Sequence, residues 1–321
     1  LFCATNNSHN KYIGSRANSN DFCKQSIMNI LVTGGTGFVG KPLVESLLLR
    51  GDSVTVLTRS IEKAQAVFSE KTPQFLTALS TLKNLNAFDA VINLAGEPIF
   101  DKRWTVQQKE KLRHSRIDLT QQIVQLINQS EHPPVLISGS ATGIYGNCGN
   151  EQITENTNPS TQFTAQLCID WENAAKQANT RVCLVRTGLV LSLKGGAFAK
   201  ILPLYRFGLG GKLGNGEQYW SWIALEDMVE GLLFLLDHNN CEGPFNFTAP
   251  HPVKNKTFNQ LLGKALHRPC FAQVPQFLLT TILGERACIL LDSQNVYPKH
   301  LQDCGFTFQY SELSDYFHNI L

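Results

Sequence analysis

The stretch from Met28 to Ser60, MNILVTGGTGFVGKPLVESLLLRGDSVTVLTRS, decides the fold of this chain. Asn29 to Thr33 is a short apolar run of the kind that forms a strand covered on both faces. It leads into Gly34, Gly35, Gly37 and Gly40, then into Lys41, Pro42 and the apolar positions Leu43, Val44, Leu47 and Leu48. Those four recur at helical spacing, and a proline in the first turn removes no N–H that the helix needs. Gly51 ends the helix, and Ser53 to Leu57 reads as a second strand. The pattern is one βαβ unit with its glycines at the strand-to-helix turn.

Glycines at that turn serve phosphate binding. Gly34, Gly37 and Gly40 let the backbone turn sharply, approach a pyrophosphate and pack the helix against the sheet. The helix start adds free N–H groups and a positive dipole end, so Thr36, Phe38 and Val39 are expected beside the same anion. Flanked by a strand and a helix, the triplet points to a dinucleotide rather than to a plain structural turn. The second strand ends in Thr58-Arg59-Ser60, with Lys63 close behind and no acid before Glu62. An NAD site usually places Asp or Glu there for the ribose 2′-hydroxyl. A guanidinium grips a 2′-phosphate through several charge-assisted hydrogen bonds, so Thr58 and Arg59 favour NADP(H) over NAD(H). The alternative for Arg59 is a solvated side chain at a strand end.

The chain has 321 residues, 43% of them hydrophobic and 17% charged, with a net charge of +2. Such a balance offers no argument for nucleic acid or an anionic membrane surface as partner. The nine cysteines form no C-x-x-C pair, which suits buried thiols in a reducing compartment. No His/Cys cluster has metal-ligand spacing, so no metal is expected. Residues 1–27 are rich in Asn and Ser and lack the apolar core of a signal peptide. Their Arg, Ser and single acid (Asp21) are also found in transit peptides. With Met28 directly ahead of the first strand, the leader reads as disordered, extraneous or upstream-translated sequence. No run approaches about 18 apolar residues, so no transmembrane helix is expected and the chain is placed in the cytoplasm.

Beyond the first unit, Ser60 to Phe68 reads as a short helix and Gln74 to Leu82 as a poorly defined strand region. Ala90 to Leu94 is a buried strand with a small exit, Ala95-Gly96-Glu97. A single helix is expected after Thr105, through Leu119 and continuing as Ile123, Val124, Leu126 and Ile127. Its cations, Lys109, Lys111, Arg113, His114 and Arg116, are read mostly as a solvated face. Arg103, just downstream of the strand exit, is the cation set apart from them. Val135 to Ser138 and Val182 to Val190 are further buried strands, and Phe163 to Ala178 is a helix. Five glycines between Gly208 and Gly216 mark tight turns. Asp227 heads a helix to Leu236, as a dipole partner or a functional acid. Pro275 to Leu291 reads as helix, turn and helix, and Leu313 to Leu321 as a last amphipathic helix. The expected fold is α/β, a doubly wound parallel sheet over 28–248, with 190–222 contributing to a substrate lobe and 249–321 a small C-terminal region.

Several segments together resemble the epimerase family proteins (YfcH-type, some labelled cell-division-inhibitor homologues) of the extended and atypical short-chain dehydrogenase/reductase superfamily. They are TGGTGFVG, NLAGEPI, RWT with SRIDLT, SATGIYG, Trp171-Glu172, VRTGLVLS, the block GGAFAKILPLYRFGLGGKLGNGEQYWSWI, and Glu226-Asp227. The resemblance spans Met28 to Leu321. It implies that Leu94, Ala95, Gly96 and Glu97 line the cofactor ribose, with Arg103 nearby. It also implies that a hydroxyl of the Ser140-Ala141-Thr142 run holds the substrate oxygen. Ser140 is the first candidate, with Thr142 and Tyr145 beside it. Arg206, Gln218 and Trp222 lie where relatives build the substrate lobe and are expected to contact substrate.

The same superfamily uses Tyr-x-x-x-Lys as its acid/base pair. None of the seven tyrosines here has Lys four residues on, and Thr164 and Cys168 fill the two places on the helix. The expected function is an NADP(H)-dependent oxidoreductase or nucleotide-sugar-epimerase-like enzyme acting on a hydroxyl or carbonyl substrate. Thr142, Tyr145 and Cys168 are its candidate proton carriers. The competing expectation is a catalytically silent NADP(H)-binding regulatory or scaffold protein.

Overall fold

The apolar runs assemble into one parallel sheet in the computed structural model, which describes residues 27–68 and 71–321. Apart from Ile27, the leader lies outside the described residues. The strands are β1 (Asn29–Thr33), β2 (Ser53–Leu57), β3 (Gln74–Leu76), β4 (Ala90–Asn93), β5 (Val135–Ala141), β6 (Val182–Thr187) and a seventh, Gly243–Phe247. Their order is Gly243–Phe247, β6, β5, β4, β1, β2, β3, and every pairing is parallel. The winding reverses between β1 and β4. At such a switch point the carboxyl ends of the strands open a crevice where α/β sheets bind ligands.

Alternate residues of each strand face opposite layers, which is why the strands read as continuous apolar runs. Ile30, Val32, Val54 and Val56 pack on Leu43, Val44 and Leu47 of α1 (Gly40–Arg50), with Met228 and Leu232 from the helix Leu225–Asp237. Leu31, Val91, Leu136 and Leu184 face the other way, onto Ile123 and Ile127. These lie on a helix at Ile117–Asn128, and Ala175 of the helix Phe163–Ala175 joins them.

Helix α2 (Ile61–Gln65) follows β2, and the single helix expected after Thr105 is two, α3 (Val106–His114) and α4 (Ile117–Asn128), with the break at Ser115-Arg116. Two side-chain bonds made there replace helix continuity. Ser115 Oγ accepts the Glu97 N–H, and Arg116 donates to the Glu97 carbonyl. The helix α5 runs Phe163–Ala175, α6 Gly196–Arg206, α7 Leu225–Asp237 and α8 Asn255–Ala265. The region expected as strand over 74–82 is β3 followed by a 3-10 turn at Leu79–Thr81.

A boundary at residue 248 does not separate two cores. Leu191, Phe198, Leu202 and Trp222 share one cluster with Phe258 and Leu262 of α8 and with Leu313, Tyr316 and Phe317 of the last helix. Leu301, Phe306 and Phe308 pack onto the main sheet instead. Asp227, inside the first turn of α7, accepts the N–H groups of Gln309 at 2.6 Å and Tyr310 at 3.0 Å. Its task is to tie down the tail. Among the described residues, no helix is long and apolar enough to cross a membrane.

Candidate functional site

The glycine turn and the β4 exit are held in backbone contact. Gly34 has φ +70°, and a Cβ there would lie 2.8 Å from the Leu94 carbonyl and 2.9 Å from the Ala95 nitrogen. A Cβ on Gly40 would stand 2.1 Å from the Gly34 oxygen. No side chain caps the start of α1, and its first turn carries no acid. Lys41 and Leu43 donate to the Gly37 and Val39 carbonyls and Pro42 has no N–H, so an anion would be met by the turn just ahead, at Thr36, Phe38, Val39 and Gly40. The Phe38 ring packs on Gly195 and Gly196, bringing the start of α6 against the turn. Beside it, a cavity of about 590 Å³ lies between α1 and α7, lined by Thr36, Phe38, Lys41, Lys194 and Glu226 among others.

At the end of β2, Thr58 Oγ1 donates to the Ser60 carbonyl, and Arg59 is exposed. The nearest acid in sequence, Glu62, accepts from Ser60 Oγ at 2.9 Å, while Ser60 itself caps α2 by accepting the Lys63 N–H. At the end of β4, Thr33 Oγ1 donates to Asn93 Oδ1 at 2.6 Å and accepts the Ala95 N–H. The Glu97 carboxyl is held below the usual range by its hydrogen bond with Lys102. Arg103 is exposed beside Gly284. The cation that reaches the β4 exit is instead Arg116, whose Nη2 donates to the Glu97 carbonyl at 3.0 Å. Reading Arg116 as part of a solvated face is therefore corrected.

A buried network closes the end of β5. Ser140 Oγ donates to Glu172 Oε1 at 2.8 Å, and Arg186 clamps both Glu172 oxygens, Nε to Oε1 at 2.8 Å and Nη2 to Oε2 at 2.9 Å. The remaining edge of Arg186 donates to Tyr145 Oη at 2.8 Å and to the Glu155 carbonyl at 3.0 Å. Tyr145 passes its own hydrogen to Asn246 Oδ1 at 2.7 Å. Burial would pull the Arg186 guanidinium down, but the Glu172 hydrogen bonds and the nearby Tyr145 push it up overall. Burial pushes the Tyr145 hydroxyl up to about 12 and the Cys168 thiol up to about 11.

These contacts sort the expected site residues. Ser140 stands at the strand end with its hydrogen committed to Glu172, so its lone pairs are what it can offer a ligand. Tyr145 shares Arg186 with Glu172 and donates and accepts within the protein, and its raised hydroxyl disfavours proton release near neutrality. Thr142 donates to Gln294 Oε1 at 2.8 Å, again an internal bond. Trp222 is fully buried, its Nε1 donating to the His251 carbonyl and its ring 5.8 Å from that of Tyr316. It packs the lobe and does not meet substrate. Gln218 is likewise a brace, its amide donating to the carbonyls of Leu213 and Leu290. Arg206 ends α6 at the surface. Sequence reading did not foresee the pairing of Arg186 with Glu172 and gave Glu172 no role. A charged residue inside the strand VCLVRT was the available signal, because a buried cation needs a partner.

Residues 30–247 match the NAD dependent epimerase/dehydratase family, and residues 274–320 match a domain of unknown function, DUF1731. The chain is 39% identical over 300 residues to the epimerase family protein SDR39U1 homolog, chloroplastic, of Arabidopsis thaliana. That alignment covers 91% of this chain and 86% of the relative. It is 38% identical over 299 residues to epimerase family protein SH2119 of Staphylococcus haemolyticus, covering 91% and 98%. The crystal structure of human epimerase family protein SDR39U1 (isoform 2) with NADPH superposes with a TM-score of 0.84 at 31% identity, covering 91% of this chain and 99% of the human one. Sequence, sheet order and the glycine turn agree: the chain belongs to the NAD dependent epimerase/dehydratase family.

Proposed function

We propose that the chain is an NADP(H)-dependent oxidoreductase or nucleotide-sugar-epimerase-like enzyme acting on a hydroxyl or carbonyl group of a small molecule. The observation that carries the cofactor choice is the end of β2, where Arg59 is exposed and the first acid, Glu62, is engaged by Ser60. That the human relative was solved with NADPH supports it. The residues present fit the group, because the start of α1 has no side-chain cap and no acid, and Gly34 and Gly40 allow the close backbone turn ahead of it that any side chain would block. Gly34, Thr36, Gly37, Phe38, Val39 and Gly40 would hold the pyrophosphate. Thr58 and Arg59 would hold the 2′-phosphate, and Leu94, Ala95, Gly96 and Glu97 would line the path onward. When bound, the cofactor supplies hydride exchange with the carbon that bears the substrate oxygen.

Ser140 orients that oxygen. With its hydrogen on Glu172, it accepts a hydrogen bond from a substrate hydroxyl. Both Glu172 oxygens are engaged by Arg186 and one also takes the Ser140 hydrogen, which suits Ser140 to a positioning acceptor and not to the head of a proton relay. Fluorescence titration with NADPH and NADH tests the cofactor reading. Arg59→Ala should weaken NADPH by about tenfold or more and leave NADH nearly unchanged. Equal losses for both would remove the 2′-phosphate role. Carbonyl compounds and nucleotide sugars are then screened for loss of bound-NADPH absorbance. Ser140→Ala should lower turnover without changing cofactor affinity, whereas an unreactive cofactor across the screen would argue for the silent reading.

A further inference from the structure

The apolar side chains left in water are concentrated on one part of the lobe. Thirteen large hydrophobic residues are exposed among those described, and eight of them fall within 204–209 and 271–289. Scattered singly they would need no explanation, but a concentration of this kind marks a surface made to be covered. The two segments are neighbours in space. Gly211–Leu213 pairs in parallel with Ala272–Val274, Arg268 Nε donates to the Arg206 carbonyl at 3.0 Å, and a Cβ on Gly208 would lie 3.6 Å from Pro269. Phe207 and Leu209 therefore stand beside Phe271, at 80%, 65% and 90% exposure. Cys270 is turned inward, since a Cβ on Gly263 of α8 would meet its sulfur, which leaves Phe271 pointing outward.

Helix α9 (Gln276–Leu283) leaves the end of this pair directly, after Pro275. Its sequence, QFLLTTIL, has no charge, and only Leu279 is buried. Phe277, Leu278 and Ile282 are exposed, Phe277 at 72%. A helix that is apolar around most of its circumference belongs inside a core or in a lipid phase. This one is fastened just beyond its far end, where Glu285 pairs with Lys109 at 2.6 Å and Arg286 donates to the Phe100 carbonyl at 2.8 Å.

Charge decides what covers it. Residues 204–214 and 264–291 carry Arg206, Lys212, Lys264, Arg268 and Arg286 against one acid, Glu285, which is already paired. The nearby acids are taken as well, Glu217 by Lys254 and Lys256 and Asp101 by Lys200. Among the described residues, Arg206, Lys212, Lys264 and Arg268 have no carboxylate partner. The net charge of +2 hides this local excess, because the balancing acids lie elsewhere. A second copy related by a two-fold axis would bring these cations against their own duplicates. An anionic lipid surface answers both features, its phosphates meeting the cations and its acyl boundary the aromatic rings.

We propose that this face docks onto an anionic lipid bilayer, with Phe207, Phe271 and Phe277 entering the interface and Arg206 and Arg268 resting on the phosphates. The attachment is peripheral, because eight residues of helix cover about 12 Å and a bilayer core is about 30 Å thick. It stands apart from the cofactor reading, since none of these residues is assigned to the nucleotide.

The full chain is floated with vesicles of phosphatidylcholine alone and of phosphatidylcholine with an equal part of phosphatidylglycerol. It should bind the anionic vesicles about tenfold or more tightly than the neutral ones, and added salt should weaken that binding. Phe271→Ser with Phe277→Ser should lose about tenfold or more on the anionic vesicles, as two aromatic side chains no longer leave water. Arg206→Gln with Arg268→Gln should lose about tenfold or more there too, and its preference for anionic vesicles should shrink. Leu49→Ser, an exposed leucine on α1 outside this face, should bind as wild type. A wild type that floats with neither kind of vesicle overturns the proposal, as does binding that survives either double variant. So does a dimer in analytical ultracentrifugation that Phe271→Ser with Phe277→Ser disperses, since a second copy would then hold the face. Melting reports whether the variants fold. Should a double variant not fold, Phe277→Trp decides: its emission relative to wild type should shift to the blue with anionic vesicles, and an unmoved emission refutes the docking.

Discussion

Replacing Glu172 by glutamine should destabilise the protein severely, and the structure indicates by how much. Glu172 and Arg186 are 2% and 6% exposed. Glu172 accepts from Ser140 Oγ and from two guanidinium nitrogens, all within 2.9 Å. Glutamine removes the charge and turns one acceptor into a donor facing Arg186 Nη2. The guanidinium would keep Tyr145 Oη, the Glu155 carbonyl and the one amide oxygen, with no counter-charge on any of them. Removing one partner of a buried pair costs about 3–5 kcal/mol, because the other charge stays enclosed and unpaired. Against a typical total of about 5–15 kcal/mol, that brings the variant near the threshold of folding. Urea unfolding of wild type, Glu172→Gln and the double variant Glu172→Leu with Arg186→Leu measures it. The double variant should lose less than the single one, since it leaves no charge behind. A loss below about 1 kcal/mol for Glu172→Gln, the value of an exposed pair, would refute the reasoning and mean that water reaches Arg186.

Three further outcomes are expected. Gly40→Ala should abolish measurable NADPH binding, since its Cβ would meet the Gly34 oxygen at 2.1 Å and force α1 off the turn; an affinity equal to wild type would show that the turn yields. Tyr145→Phe should cost about 1–3 kcal/mol in chemical unfolding, because Asn246 Oδ1 and Arg186 Nη1 each lose a buried partner. Burial raises the Asp227 carboxyl from 3.8 to about 6. For a raised carboxyl the contribution to stability is complete below 3.8 and is lost as pH climbs through about 6. Stability of the wild type relative to Asp227→Asn should therefore fall by something on the order of 3 kcal/mol across that window, read from unfolding curves at several pH values, and a flat difference would count against it.

What the sequence disclosed was what depends on near neighbours. The strands were legible because both faces are covered, and the glycine turn because its backbone demands fall within one short segment. The break at Ser115-Arg116 was hidden, since apolar spacing continues through it while the contacts that cause it run to Glu97, 19 residues away. Arg116 looked like one cation among several on a helix face. Only the fold brings Trp171 and Gly96 to it. Trp222 and Gln218 resembled ligand-lining residues because the segments that bury them, around Tyr316 and Leu290, give no local sign of doing so. Arg186 was the exception, a long-range partner that its own strand advertised.

The shared cluster of the lobe bears on how the protein comes to be folded during synthesis. Leu191, Phe198 and Trp222 emerge from the ribosome well before Leu313, Tyr316 and Phe317, which complete their packing. The sheet half has most of its pairing partners by Phe247 and can close early. The lobe must wait with an aromatic surface uncovered, because contacts so distant along the chain form late. In that interval the chain is open to mispairing with its neighbours, so chaperone dependence should fall on the lobe and not on the nucleotide-binding half.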